Sequence, residues 1–229
     1  MKALFYKEFK LAMHPICYVF VALFPLMVLI PDGYYPRAVG FIYILSCYPI
    51  LFLGANKGQQ SNDLLYSTLL PVRKRDIVLA RIFTVFVMQF AFMAISCCLL
   101  PVVYFIQQGM IKQGVEIIPF GLGINTYVLL LAISIVGFAL ADLIFFPIYY
   151  KHGKSIVMST LLMILGFLVY LSVFTVALPE ILEKVQPGIV HGMALWIQFI
   201  ALALSLVVYI LVHLLVYKIS YKRLERVDF

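Results

Sequence analysis

The groups able to do chemistry in this 229-residue chain are few, and their spacing excludes most reactions. His14, His152, His191 and His213 are scattered, with no His-Glu-x-x-His spacing to put two imidazoles on one helical face around a metal. Each reads as a polar group near the end of an apolar run. Cys17, Cys47, Cys97 and Cys98 all lie within apolar runs, and adjacent Cys97 and Cys98 point to different helix faces. They read as small packing residues, not as a disulfide framework or metal cluster. No Gly-x-Ser-x-Gly elbow or phosphate-binding loop occurs, and Gly121-Leu122-Gly123 is a turn signal. No residue is therefore assigned to catalysis or to a metal, and the chain is expected to be no enzyme and to carry no cofactor of its own. Asp142 is the exception worth weighing, because it is the only acid inside a long apolar run, where an ionisable group is a functional candidate. Lying within two turns of a basic loop, it is expected to pair with Lys151, Lys154 or a base near Arg73, in a structural or gating role. A proton relay would want further acids at the same depth. An intramembrane enzyme would need polar groups that converge, and only Asp142, Gln89, Asn125 and dispersed hydroxyls are on offer.

Two segments carry recognition chemistry instead. In Ser61–Arg81, Ser61 or Asn62 can cap a short helix and Asp63 suits its first turn. Leu64, Leu65 and Leu69 are apolar side chains in a polar connection, where they call for a partner surface; Ser67 and Thr68 lie among them. Pro71 stops the helix, Arg73, Lys74 and Arg75 form a basic run, and Asp76 begins the next long helix. The basic run alone is explained by anionic lipid heads; the leucines are not. In residues 1–12, winding at 100° per residue puts Leu4, Phe5, Phe9, Leu11 and Ala12 on one half and Lys2, Lys7 and Lys10 on the other. Only Glu8 interrupts the apolar half. This predicts an amphipathic helix lying in the membrane interface, with a bend at His14-Pro15 leading into the first apolar run.

The elements that must position these groups are membrane helices. Hydrophobic residues make up 65% of the chain and charged residues 12%, and the mean hydropathy is +1.08. A soluble domain is about half apolar and about a quarter charged, and a chain of this length cannot hide the excess in its interior. Six runs approach the ~20 apolar residues a span needs: Leu11–Ile30, Ala38–Ala55, Ile82–Ile106, Ile124–Pro147, Ser155–Leu178 and Val190–Tyr217. The first carries no small-residue cleavage site and reads as a span, not a signal peptide. The fold expected is all-α: one transmembrane domain over residues 1–229, polytopic, with six transmembrane helices. Its separate parts are the amphipathic helix 1–12 and a cytoplasmic helix 61–70.

Sidedness comes from the bases. Of 17 Lys and Arg, only Arg37, Lys112 and Lys184 fall on one side of a six-span plan, and the other fourteen share the side of both termini. Basic loops mark the cytoplasm, so the N- and C-termini are both expected inside. The net charge of +7 is then orientation, and no nucleic-acid partner is implied.

The stretch Leu69-Leu70-Pro71-Val72-Arg73-Lys74-Arg75-Asp76-Ile77-Val78-Leu79-Ala80-Arg81 resembles the "LPV-basic-IV-apolar-basic" stretch of ABC-2 type permeases, the membrane subunits of ATP-binding-cassette exporters. Pro147-Ile148-Tyr149-Tyr150-Lys151-His152-Gly153-Lys154 resembles that family's proline-aromatic-basic-glycine turn between spans four and five. Within the family the chain resembles permeases of exporters that remove phenol-soluble modulins, which are amphipathic peptide toxins. The resemblance implies a multi-pass subunit of a bacterial cell membrane that exports amphipathic or hydrophobic substrates, peptides above all. It also implies a dimer with a second permease copy or a related permease, and a separate cytoplasmic ABC ATPase that binds ATP and magnesium. The 61–70 helix would be the coupling helix in the ATPase groove, and Lys2, Phe5, Lys7, Phe9 and Lys10 would brace the same partner. An ion-gradient-driven transporter, and a structural or immunity protein without flux, are the competing readings.

Overall fold

The computed structural model describes residues 2–12, 15–26, 43–44, 47, 72–99, 101–102, 105–106, 109, 112, 124–152, 156–173 and 195–226. Among these, all regular structure is helical. Helix α1 (Lys2–Lys7) continues as a π-helical turn over Glu8–Ala12. Next in the chain come α2 (Pro15–Leu26), α3 (Lys74–Cys98), α4 (Ile124–His152), α5 (Ile156–Ser172) and α6 (Leu195–Glu225).

Among the described residues, three stretches are long and apolar enough to cross a membrane: Lys74–Cys98, Leu131–Lys151 and Trp196–Glu225. A fourth is added if Leu4–Lys10 and Pro15–Leu26, bent by 71° to one another, are taken as one span. The six-span expectation extends beyond this. Its second span, Ala38–Ala55, lies outside the described residues except for Tyr43, Ile44 and Cys47. The fifth, Ser155–Leu178, is described over residues 156–173, of which Ile156–Ser172 is an apolar helix of 17 residues.

The boundaries correct the sequence reading. Helix α3 starts at Lys74, with Arg73 extended before it (φ −71°, ψ 137°) and its carbonyl accepting from Asp76 N at 2.9 Å. It breaks at the turn of Leu99, and the described residues beyond it within the expected run, Pro101, Val102, Phe105 and Ile106, are helical again; a proline at 101 lacks the N–H that an unbroken helix needs. By contrast α4 runs through Pro147 to His152. The expected turn at Pro147–Lys154 is therefore helical as far as His152, while Gly153 and Lys154 lie outside the described residues. Helix α6 continues to Glu225, beyond the Tyr217 that apolar run length suggested.

On α6 the usual soluble-protein pattern is reversed. The outward face of α6 presents Trp196, Phe199, Leu204, Leu211 and Leu214, all exposed. Its buried stripe is Gln198, Ser205, Tyr209, His213, Val216, Ser220 and Leu224, which recur at three-, four- and seven-residue steps and so share one face. Apolar outside with polar inside is what a hydrocarbon solvent selects. The most extensive interface joins α4 and α6, and α4 also packs on α5. Glycines permit the latter: a Cβ at Gly137 would lie 2.6 Å from Phe167 Cε2, and one at Gly166 would run into Ile144 Cδ1. Small residues that let helices approach are the usual device where lipid gives no hydrophobic drive to association. Tyr43 lies between Phe92 of α3 (ring centroids 4.6 Å) and Phe138 of α4 (5.5 Å), tying those two helices together.

Candidate functional site

One end of the bundle gathers α1, the start of α3 and the ends of α4 and α6. The tie is an arginine. Expected among the surface bases, Arg81 in fact lies two turns inside α3 and is only 8% exposed. Its guanidinium grips Glu8 side-on, Nε donating to Oε2 at 3.2 Å and Nη2 to Oε1 at 3.4 Å. Its third arm, Nη1, donates to the hydroxyl of Tyr149 in α4 at 3.0 Å. Glu8, the residue that interrupted the apolar half of α1, is 5% exposed. A guanidinium fork suits this task, because its donors are fixed in a plane and can hold two groups at once. Tyr149 is itself oriented by stacking on Phe145, with centroids 5.6 Å apart and rings within 12° of parallel. From α6, Arg223 donates to the Pro147 carbonyl of α4 at 2.7 Å, a cation near the negative end of a helix dipole.

Of the residues expected to brace a partner, Lys2, Phe5 and Lys7 lie on α1 and Phe9 and Lys10 on the π-helical turn after it. Phe5 meets Phe83 of α3 edge-on at 5.0 Å, and Phe9 packs against the core. Lys7 places Nζ 3.8 Å from Glu8 Oε1. Lys10 is exposed and donates to the Tyr6 hydroxyl at 2.5 Å, while Lys2 begins the helix. The Phe9 carbonyl accepts from Tyr18 of α2 at 2.5 Å. Thus the apolar half of α1 is turned onto α3. Arg73 and Arg75 are exposed at the start of α3. The remaining expected partner contacts, Asn62, Asp63, Leu64, Leu65, Ser67, Thr68, Leu69 and Pro71, lie outside the described residues, as does the whole 61–70 helix.

A second polar cluster sits deeper. Asp142 is fully buried (0% exposed) and faces His213 of α6, Oδ2 to Nε2 2.8 Å. It does not pair with Lys151. Nine residues at 100° each place the two on opposite faces of α4, about 13 Å apart along the axis, and Lys151 is exposed. Lys154, the other expected partner, is not among the described residues. The other ring nitrogen of His213, Nδ1, lies 2.9 Å from the Tyr209 carbonyl oxygen. A carbonyl only accepts, so a hydrogen bond there needs the proton on Nδ1. A second proton shared by Nε2 and the carboxyl would leave the pair without net charge, which is what a dry interior tolerates. Tyr209 donates its hydroxyl to Gln89 Oε1 of α3 at 2.7 Å. Phe86 closes the cluster, 5.3 Å from both the Tyr209 and His213 rings.

Of the residues singled out from sequence, Asp142 is thus part of a built cluster, while Lys151 is not. His213, expected as a polar end group, is buried inside α6. Arg81, Glu8, Tyr149, Gln89 and Tyr209 carry the geometry without having been assigned a role. A usable signal existed for the first two: an acid on an apolar face and a base two turns inside the next long helix each need a partner. Cys17 and Cys47 are free thiols, both fully buried in the core.

A family model described as ABC-2 family transporter protein matches residues 3–223. No curated protein and no solved structure matches the chain.

Proposed function

Because the chain belongs to the ABC-2 family of transporter proteins, we propose that it is the transmembrane permease subunit of an ATP-driven exporter. The observation that carries this reading is a family match over nearly the whole chain. The substrates proposed are amphipathic or hydrophobic molecules, above all peptides such as toxins or antimicrobials. Hydrolysis belongs to a separate cytoplasmic ABC ATPase, with ATP and magnesium held there. The permease works as a dimer, with itself or with a related permease, in a bacterial cell membrane.

The gathered end is the face that would meet the ATPase. It collects Lys7, Lys10, Arg73, Lys74, Arg75, Lys151, Lys218, Lys222, Arg223 and Arg226, and a basic end of this kind belongs on the cytoplasmic side. The proposed 61–70 coupling helix would lead into α3 there, and α1 lies against α3. A force applied to either would reach the start of α3.

The test is copurification of the ATPase with the permease. Replacing Leu64, Leu65 and Leu69 by Asp should abolish it while the permease remains monodisperse in detergent; unchanged binding would overturn the coupling-helix assignment. An ion-gradient transporter is the second reading, favoured by the buried Asp142–His213 pair. Substrate flux into vesicles under a proton gradient without ATP would favour that reading; flux that needs ATP would exclude it.

A further inference from the structure

We infer that Glu8, Arg81 and Tyr149 form a mechanical joint through which movement of the surface helix α1 is delivered to α3 and α4. The inference rests on the permease reading above, since the partner's ATP cycle supplies the movement. It goes further by naming the residues that transmit it.

The geometry separates a joint from ordinary packing. Helix α1 is short, and a helix of a dozen residues has little stability of its own. Its apolar contacts with α3, such as Phe5 on Phe83, can slide, because dispersion is non-directional and each atom pair contributes little. The Glu8–Arg81 contact cannot slide: it is made side-on through two nitrogens and two oxygens and is shielded from water. Parting it would leave a buried charge unpaired, a far larger cost than shifting a phenylalanine. The same guanidinium holds the Tyr149 hydroxyl, so displacement of Glu8 is passed to two helices at once. Glu8 also lies where α1 gives way to a π-helical turn, five residues wide, ahead of the 71° bend into α2. The acid is therefore fixed on the part of the chain that would pivot.

The test uses the permease copurified with its ATPase and reads movement at the far end of α3. Cys98 is exposed there, seventeen residues from Arg81, about 25 Å along the helix. With Cys97 replaced by Ala, and Cys17 and Cys47 buried, maleimide labels Cys98 selectively. In otherwise unaltered protein, trapping the ATPase with ATP and vanadate should change the labelling rate at least about threefold, the change expected when a two-state helix switches its population. Glu8→Gln and Arg81→Gln should bring that ratio to about one while leaving assembly and basal ATP hydrolysis in place. The exchanged pair Glu8→Arg/Arg81→Glu should restore the response, because a glutamate at 81 can still accept from Tyr149. A structural role alone predicts loss of folded complex without selective loss of the response. The joint is overturned if Glu8→Gln responds as the parent does, if the exchanged pair fails to restore the response in an assembled complex, or if the parent hydrolyses ATP with no change at Cys98. Failure of any ATPase to bind the parent would overturn the permease reading itself, and the joint with it.

Discussion

Replacing His213 by Met removes the imidazole that faces Asp142 while keeping comparable volume in the α4–α6 interface. The side chain lost makes two close polar contacts, Nε2 to Asp142 Oδ2 at 2.8 Å and Nδ1 to the Tyr209 carbonyl at 2.9 Å. Breaking a buried charged pair in a water-soluble interior costs about 3–5 kcal/mol. Polar contacts between membrane helices average about 0.6 kcal/mol and reach about 1.7, because the chain dispersed in lipid finds other partners. Asp142 is fully buried and faces this ring at short range, which places the pair above the membrane average. The expected loss is about 2–4 kcal/mol, between those two bounds. At about 2–4 °C per kcal/mol for a chain of this size, the midpoint should fall by roughly 5–15 °C. Asp142→Leu/His213→Met removes both polar partners and should recover most of that loss, because neither group is then left buried without the other. Asp142→Asn, which can still hydrogen-bond the ring, should cost about 1 kcal/mol. Thermal unfolding in one detergent at one scan rate, followed by far-ultraviolet circular dichroism, measures all three. A His213→Met midpoint within about 2 °C of the parent, or a double variant no better than the single, would refute the claim that the pair holds α4 to α6.

Three further outcomes rest on the same packing. Tyr209→Phe deletes the 2.7 Å bond to Gln89 without changing the ring stack, and should lower stability by about 0.6–1.7 kcal/mol in the same melt. Gly137→Ala should destabilise by about 1–3 kcal/mol, because its methyl meets the Phe167 ring, whereas Gly166→Ala should cost less since it meets the flexible tip of Ile144; equal losses would contradict this ranking. Lys151→Ala should leave the midpoint within about 0.5 kcal/mol of the parent, as an exposed residue on the face opposite Asp142; a loss like that of His213→Met would restore Lys151 as a partner.

Hydropathy alone located α3, α4 and α6, because a run of apolar side chains is what lipid demands. It misplaced their ends, because run length measures bilayer thickness and not helix continuity. Lys218 to Glu225 are mostly polar, yet they extend α6 by two turns, with Leu224 buried and Arg223 on the Pro147 carbonyl. Pro101 and Pro147 show the limit most clearly. One lies just past the end of α3; the other sits inside α4, where Tyr149 and Tyr150 are buried beyond it and give the last turns something to pack against. Nothing local to either proline announces which will happen. Asp142 stood out from sequence because a lone acid in an apolar run is costly. Its partner did not, since His213 lies on a distant helix and looked like an end group until α6 proved longer than its apolar run.

The polar groups left inside the bundle fall on continuous faces. On α3, Arg81 and Gln89 are eight residues apart, and on α4, Asp142 and Tyr149 are seven apart, so each pair stays within one side of its helix. Arg81 meets Tyr149, while Gln89 and Asp142 both meet α6, through Tyr209 and His213. These links form two tiers about 10–12 Å apart along the helices. Apolar contacts between membrane helices are weakly directional, and lipid competes for them on nearly equal terms. A one-turn slip of α4 along α3 and α6 would still bury its phenylalanines, yet it would strand Arg81 from Tyr149 and Asp142 from His213 in the same step. The two tiers therefore fix the register of a bundle whose apolar surfaces alone would accept several. They also mean that any transport movement must carry α3, α4 and α6 together between tiers or break one tier while keeping the other. The tier nearest α1 is the one a surface partner can reach.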